Sequence, residues 1–167
     1  MLFRSRNITE GRPGAPLTLR LAVVDASTCK PIAGAAVDIW HADAGGVYSG
    51  FGAGSGNRTF MRGIQKTDAS GIATFQTVYP GWYQGRTVHI HVKVHVGGNV
   101  VHTGQLFFDD TVTDAVYRRT PYSKRPNRTT RNAADSIYVN GGSKSVVKIG
   151  RQGTGYAGNV TMGVHTA

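Results

Sequence analysis

An all-β chain, a single-domain β-sandwich with long loops gathered around a cleft, is predicted by three features of the sequence. Its 167 residues suit one domain with one hydrophobic core. Its 23 glycines and frequent Val and Thr fall in short apolar runs separated by Gly, Asn, Asp and Pro clusters, the pattern of strands and turns. Residues 85–96, GRTVHIHVKVHV, alternate strictly, with Val88, Ile90, Val92, Val94 and Val96 on one face and His89, His91, Lys93 and His95 on the other. Such a strand packs one face on a core and turns the other toward a polar cleft.

The elements follow in order. Residues 1–15 are polar and carry Gly and Pro, which predicts a loose arm ahead of a body spanning 16–167. A first strand over 17–25 leads through a turn to a second over 35–43, where Trp40 reads as a core residue. A Gly-rich loop covers 44–60. Residues 63–78 predict a hairpin turned at Asp68 and Gly71, because Ile72, Thr74 and Gln76 alternate against Ala73, Phe75 and Thr77. A connection, YPGWYQG, enters the histidine strand; in it Trp82 suits either a pocket wall or a loop anchor. VGGNVV then turns into a strand over 101–109, and a short helix over 109–117 follows. The stretch 117–132 holds six basic residues with two tyrosines and two prolines but no strand or helix period, so a solvated surface loop is expected rather than a nucleic-acid surface. One or two closing strands fall between 145 and 167.

Composition narrows the function. A net charge of +10 favours solubility or attraction to polyanions without naming a reaction. The single Cys29 excludes an internal disulfide framework and any site built from several thiolates. No run approaches a membrane span, and the opening residues lack the apolar stretch of a signal peptide, so a soluble chain is expected.

The H-x-H pair is the chemically loaded element. Two side chains on one strand face stand roughly 6–7 Å apart at the backbone and can converge on one ion, whereas His95 lies roughly 13 Å beyond His91 and is left out. Neutral imidazole is a common metal ligand, although an exposed strand face also carries histidines for hydrogen bonding alone. Carboxylates are scarce nearby; Asp109 or Asp43 would have to be brought in by the fold to complete a 2-His-1-carboxylate arrangement. Tyr48 and Tyr83 lie in the two flanking loops. A phenol of ordinary pKa near 10 binds well only to a strongly Lewis-acidic ion such as ferric iron.

The runs LTLRLAVVDASTCKPIAGAAVDIWHADAGGVYSGF, KTDASGIATFQTVYPGWYQGRTVHIHVKV and HTGQLFFDD resemble the catalytic domain of intradiol ring-cleavage dioxygenases, the group of protocatechuate and catechol dioxygenases. The resemblance covers about residues 16–117. It rests on a Tyr after a W-x-x-D-A-x-G-like turn and a Tyr in a Pro/Gly/Trp loop. It also rests on an Arg three residues before H-x-H and a Gln fourteen residues after it. It implies a β-sandwich whose loops form a metal cleft, with Fe(III) held by Tyr48, Tyr83, His89 and His91. It further implies that Tyr83 leaves the ion as a catechol chelates while Tyr48 stays. Arg86 then stabilises negative charge building on the ring, Gln105 lines the substrate cavity, and O2 attack yields a cis,cis-muconate-type diacid.

Some features depart from the family. The helical N-terminal dimerisation domain of catechol-type members is absent here, so a monomer or weak oligomer is expected. Ala42, the Gly45-Gly46 pair, Thr87 and Val88 differ from many members and bear on which catechol is preferred. The short form resembles secreted bacterial members, which suggests an extracellular setting. The expected partners are a small catechol-type molecule and O2, with no nucleic acid and no membrane. A transthyretin-like binding module would share the core pattern but has no need for two tyrosines, an arginine and H-x-H around one cleft. A copper-zinc superoxide dismutase would need more histidines at the site than the scattered His41, His95, His102 and His165 offer, and a disulfide partner for Cys29.

Overall fold

The computed structural model describes residues 5–51 and 56–166. Its strands in chain order are β1 (Pro16–Asp25), β2 (Ala36–Trp40), β3 (Arg62–Lys66), β4 (Ile72–Val78), β5 (His89–Val96), β6 (Asn99–Phe107), β7 (Lys148–Gln152) and β8 (Gly155–Val164). Helix α1 (Asp110–Tyr117) follows β6, and a single turn, α2 (Ser136–Val139), lies in the long connection before β7. Among the described residues the strands form two four-stranded sheets, ordered β4-β1-β8-β7 and β3-β2-β5-β6. This is the all-β sandwich the alternation predicts.

Each sheet turns one face inward. Leu17, Leu19, Leu21 and Val23 of β1 meet Val37 and Ile39 of β2, Phe75 of β4, and Ile90, Val92 and Val94 of β5, and all are buried. That apolar contact between sheets is the main source of stability. The outer face of the second sheet is therefore free for polar chemistry, and strand register decides which side chains share it. Across the β2–β5 and β5–β6 ladders Trp40 lies opposite His91, His91 opposite Gln105, and His89 opposite Phe107.

Four expectations need correction. Strands β3 and β4 do not form a hairpin. The turn between them exists, with Asp68 Oδ1 accepting from Ser70 and Ile72 N–H and Gly71 at φ +75°. However, β4 pairs with β1 and β3 with β2, so the turn crosses between sheets. Residues 5–15 are not a loose arm: Ile8 is buried at 2% exposure, exchanges backbone bonds with Gln76 and Met61, and Arg12 pairs with Asp43 at 2.8 Å. Residues 1–4 of that arm, 52–55 of the Gly-rich loop and 167 of the tail lie outside the described residues.

The 117–132 stretch is only in part a solvated loop: Arg118, Arg119, Lys124 and Asn127 are exposed, but other residues tie it to the body. Tyr122 is buried, Arg128 binds Asp110 and Asp114, and Arg131 binds Asp114, each at 2.8 Å. Two of its six basic residues, Arg128 and Arg131, thus answer the acids of α1, while Arg118, Arg119 and Lys124 stay exposed. Trp40 is not a core residue: being on the outward parity of β2, it stacks on His91 with ring centroids 4.9 Å apart. Helix α1 forms where expected, capped by Asp109, whose carboxylate accepts from Thr111 N–H. The tail supplies both closing strands, and β8 runs parallel to β1.

Candidate metal centre

Strand β5 delivers His89 and His91 to the outer face of the second sheet, and the loops on either side bring Tyr48 and Tyr83 over them. Four polar atoms converge there. Tyr48 Oη lies 3.5 Å from Tyr83 Oη and 3.3 Å from His89 Nε2, Tyr83 Oη lies 3.1 Å from His89 Nε2, and the two Nε2 atoms are 3.2 Å apart. His89 Nδ1 is 2.6 Å from the Thr87 carbonyl. A carbonyl only accepts, so Nδ1 carries the proton and Nε2 presents its lone pair to the cluster.

One lone pair on His89 Nε2 cannot serve two phenols, a second imidazole and the Arg86 guanidinium 3.5 Å away as separate hydrogen bonds. It suits coordination instead. Donors held at about 2.1 Å from one ion at a tetrahedral angle stand about 3.4 Å apart, and these four separations of 3.1–3.5 Å match that span. The donor set is two phenols and two imidazoles; among the described residues no three His, Cys, Asp or Glu side chains gather. Such a set matches a hard, strongly Lewis-acidic cation better than a thiolate-loving one.

Burial tunes these groups. It lowers His89 to about 4, with Arg86 and His91 adding to the effect and the Thr87 carbonyl opposing it. Burial, then Arg86, lowers His91 to about 4 as well. Both imidazoles are therefore neutral near pH 7 and able to bind a cation. Burial, then the hydrogen bond with Tyr83, pushes the Tyr48 phenol well above its ordinary value. That phenol ionises only when a positive ion replaces the missing solvation.

Arg86 is fixed beside the cluster. Its Nε donates to Asp135 Oδ2 at 2.8 Å and its Nη2 to Gln105 Oε1 at 2.5 Å. Asp135 also accepts from the backbone N–H of Thr87, Ile137 and Tyr138, and its side chain is 1% exposed. Burial pushes its carboxyl up, but Arg86 and the Thr87 and Tyr138 N–H groups outweigh it and hold it below the ordinary carboxylate value. Sequence reading missed Asp135, which lies 49 residues from Arg86. Its one local signal, an Asp ahead of a short helical turn, fits any N-cap.

Asp135→Asn should cost about 3 kcal/mol of folding stability by denaturant melts, since it leaves Arg86 without its anion. Because the folded carboxyl is depressed, that contribution is present above about pH 4 and lost as pH falls through its lowered value. An unchanged melt at pH 7 would remove Asp135 from this role.

The remaining candidates lie elsewhere. Asp43 is occupied by Arg12 and by Gly45 and Val47 N–H, and Asp109 caps α1, so neither supplies a carboxylate ligand. His41 is buried between the Ala42 carbonyl and Thr77. Trp82 anchors its loop, its indole N–H donating to the Arg125 carbonyl at 2.9 Å.

A dioxygenase family model matches residues 3–120. An intradiol ring-cleavage dioxygenase from Tetranychus urticae is similar at 36% identity and a TM-score of 0.94, over 99% of this chain and 88% of that one. The dioxygenase domain of a carbohydrate-binding fusion protein from Streptomyces sp. SirexAA-E is similar at 30% identity and a TM-score of 0.76, over 100% and 91%. Catechol 1,2-dioxygenase 1 of Acinetobacter lwoffii is 44% identical over 55 residues, a match spanning 32% of this chain and only 18% of that curated relative. No helix among the described residues is long and apolar enough to cross a membrane.

Proposed function

Because this chain belongs to the intradiol ring-cleavage dioxygenase family, we propose that it opens catechol-type rings with O2 at a ferric ion held by Tyr48, Tyr83, His89 and His91. The observation that carries this reading is the convergence of those four side chains, with both tyrosine oxygens and His91 Nε2 within 3.1–3.3 Å of His89 Nε2, the two tyrosine oxygens 3.5 Å apart, and a fixed guanidinium alongside. Bound there, ferric iron would supply Lewis acidity that ionises the phenols and a chelating catechol.

The chain's own residues do the rest. Tyr83 Oη is the atom placed to take a catechol proton. Neutral His89 and His91 keep their charge off the site, and Trp40 stacked on His91 limits how that ring turns. Arg86, clamped by Asp135 and Gln105, offers a positive charge whose direction is set before substrate arrives, so stabilising a negative charge on the opening ring needs little reorganisation. Gln105 spends its carbonyl oxygen on Arg86, which leaves its amide N–H groups as donors toward the substrate.

The overall change is balanced: catechol and O2 combine, the bond between the two hydroxyl-bearing carbons breaks, and both oxygen atoms enter the diacid. Turnover of catechol by the iron-loaded protein under 18O2 tests this. A cis,cis-muconate carrying two labelled atoms is expected. A semialdehyde from cleavage beside the diol, or no ring opening, would contradict it.

A further inference from the structure

The 117–125 stretch carries no site residue in the reading above, yet it meets the Tyr83 loop carbonyl by carbonyl. Tyr122 Oη donates to the Tyr79 carbonyl at 2.6 Å, Tyr117 Oη to the Pro80 carbonyl at 2.8 Å, and Arg125 Nη1 to the Trp82 carbonyl at 2.9 Å. In return the Trp82 indole donates to the Arg125 carbonyl, and the Arg125 guanidinium lies 4.6 Å from the Trp82 ring centroid. The same Nη1 also donates to the Gly45 carbonyl, three residues before Tyr48. One nitrogen thus joins the two loops that carry the two tyrosines.

The backbones of those loops touch at the same place. Gly81 N–H donates to the Asp43 carbonyl at 3.0 Å. A side chain at Gly81 would collide with Ala44, and one at Gly46 would collide with the Trp82 carbonyl and the Arg125 guanidinium. Gly46 also sits at φ +81°, where other residues are strained. The contact is therefore close enough that a change in one loop shifts the other. Arg125 has no carboxylate partner among the described residues. Its charge is spent on carbonyl oxygens and on the face of Trp82, and hydrogen bonds from a charged donor are the stronger kind.

We propose that Arg125 is a positioning residue that sets the Tyr48–Tyr83 separation by clamping the two tyrosine loops together. This rests on the reading of both tyrosines as ligands, but the clamp itself is measurable without metal. Hydrogen exchange of the metal-free protein is the first readout, comparing the parent with Arg125→Met, which keeps the packing stem, and Arg125→Ala. Arg125→Lys tests rescue, since an ammonium can still donate to both carbonyls.

Exchange in residues 43–48 and 81–85 should rise about tenfold or more in the Met and Ala variants, while β1 and β8 keep their protection. The Lys variant should recover part of the loss. Ferric affinity should fall about 10–100-fold in step. Arg118→Ala, on the same stretch but without a bond to either loop, should match the parent. Unchanged exchange in either loop of the Met variant, or a rise spread equally over β1 and β8, would overturn the clamp. If the parent bound no ferric iron while the exchange change appeared, the ligand assignment would fall and the clamp would stand.

Discussion

Tyr48→Phe is expected to give a folded protein that has lost most of its ferric affinity and more than about 100-fold of its catechol turnover. The change removes one oxygen. Tyr48's ring contacts with Phe51, Tyr83 and His91 remain, so the sandwich has no reason to loosen. It deletes one of four converging donors, however, and one that burial keeps neutral until a cation arrives. Losing a mere outer partner of a ligand costs about 10–100-fold in affinity, and losing a ligand itself costs more. Iron content after dialysis, the melting temperature of the metal-free protein and oxygen uptake separate the outcomes. His91→Ala should behave alike for binding. A Tyr48→Phe protein with full iron and full turnover would remove Tyr48 from the centre.

The second large effect is expected at Arg86, with the opposite division between binding and rate. Arg86→Ala leaves all four donors in place, so iron is retained. What it removes is a guanidinium oriented by Asp135 at 2.8 Å and Gln105 at 2.5 Å. Deleting one oriented donor of this kind typically slows the chemical step about 100–1000-fold. The loss should fall on kcat more than on KM, because the charge matters most as negative charge develops on the ring. Arg86→Lys should recover little, since one ammonium cannot meet Asp135, Gln105 and the cluster in a fixed plane. Steady-state kinetics of the iron-loaded variants decide this, and a loss confined to KM would reassign Arg86 to uniform substrate binding.

The alternation of β5 is enough to read its two faces, because a strand with a core on one side writes burial directly into odd and even positions. It placed His89 and His91 together correctly. From residue chemistry alone Tyr48 and Tyr83 are readable only as tyrosines in flanking loops, and their role beside the histidines comes from the family resemblance, since loop conformation is set by contacts distant in sequence. Asp135 and Arg125 show why: Arg86 meets Asp135 across 49 residues, and Arg125 meets Gly45 across 80. Neither pairing leaves a local period. Arg128 and Arg131 look like solvent-facing charge until α1 is seen to supply Asp110 and Asp114. The residues around Asp68 do form a turn, but a turn fixes chain direction rather than strand partners, and β1 offered β4 the longer ladder. Trp40 was misread because aromatic bulk suggested a core, while its parity in β2 put it across from His91.

The most direct test of the ferric centre is a visible absorption spectrum of the iron-loaded protein, recorded before and after anaerobic addition of catechol. Phenolate bound to ferric iron gives a broad visible charge-transfer band, and a chelating catechol should move it to longer wavelength. Both changes are expected. A protein that stays colourless after ferric loading would contradict the four-ligand centre.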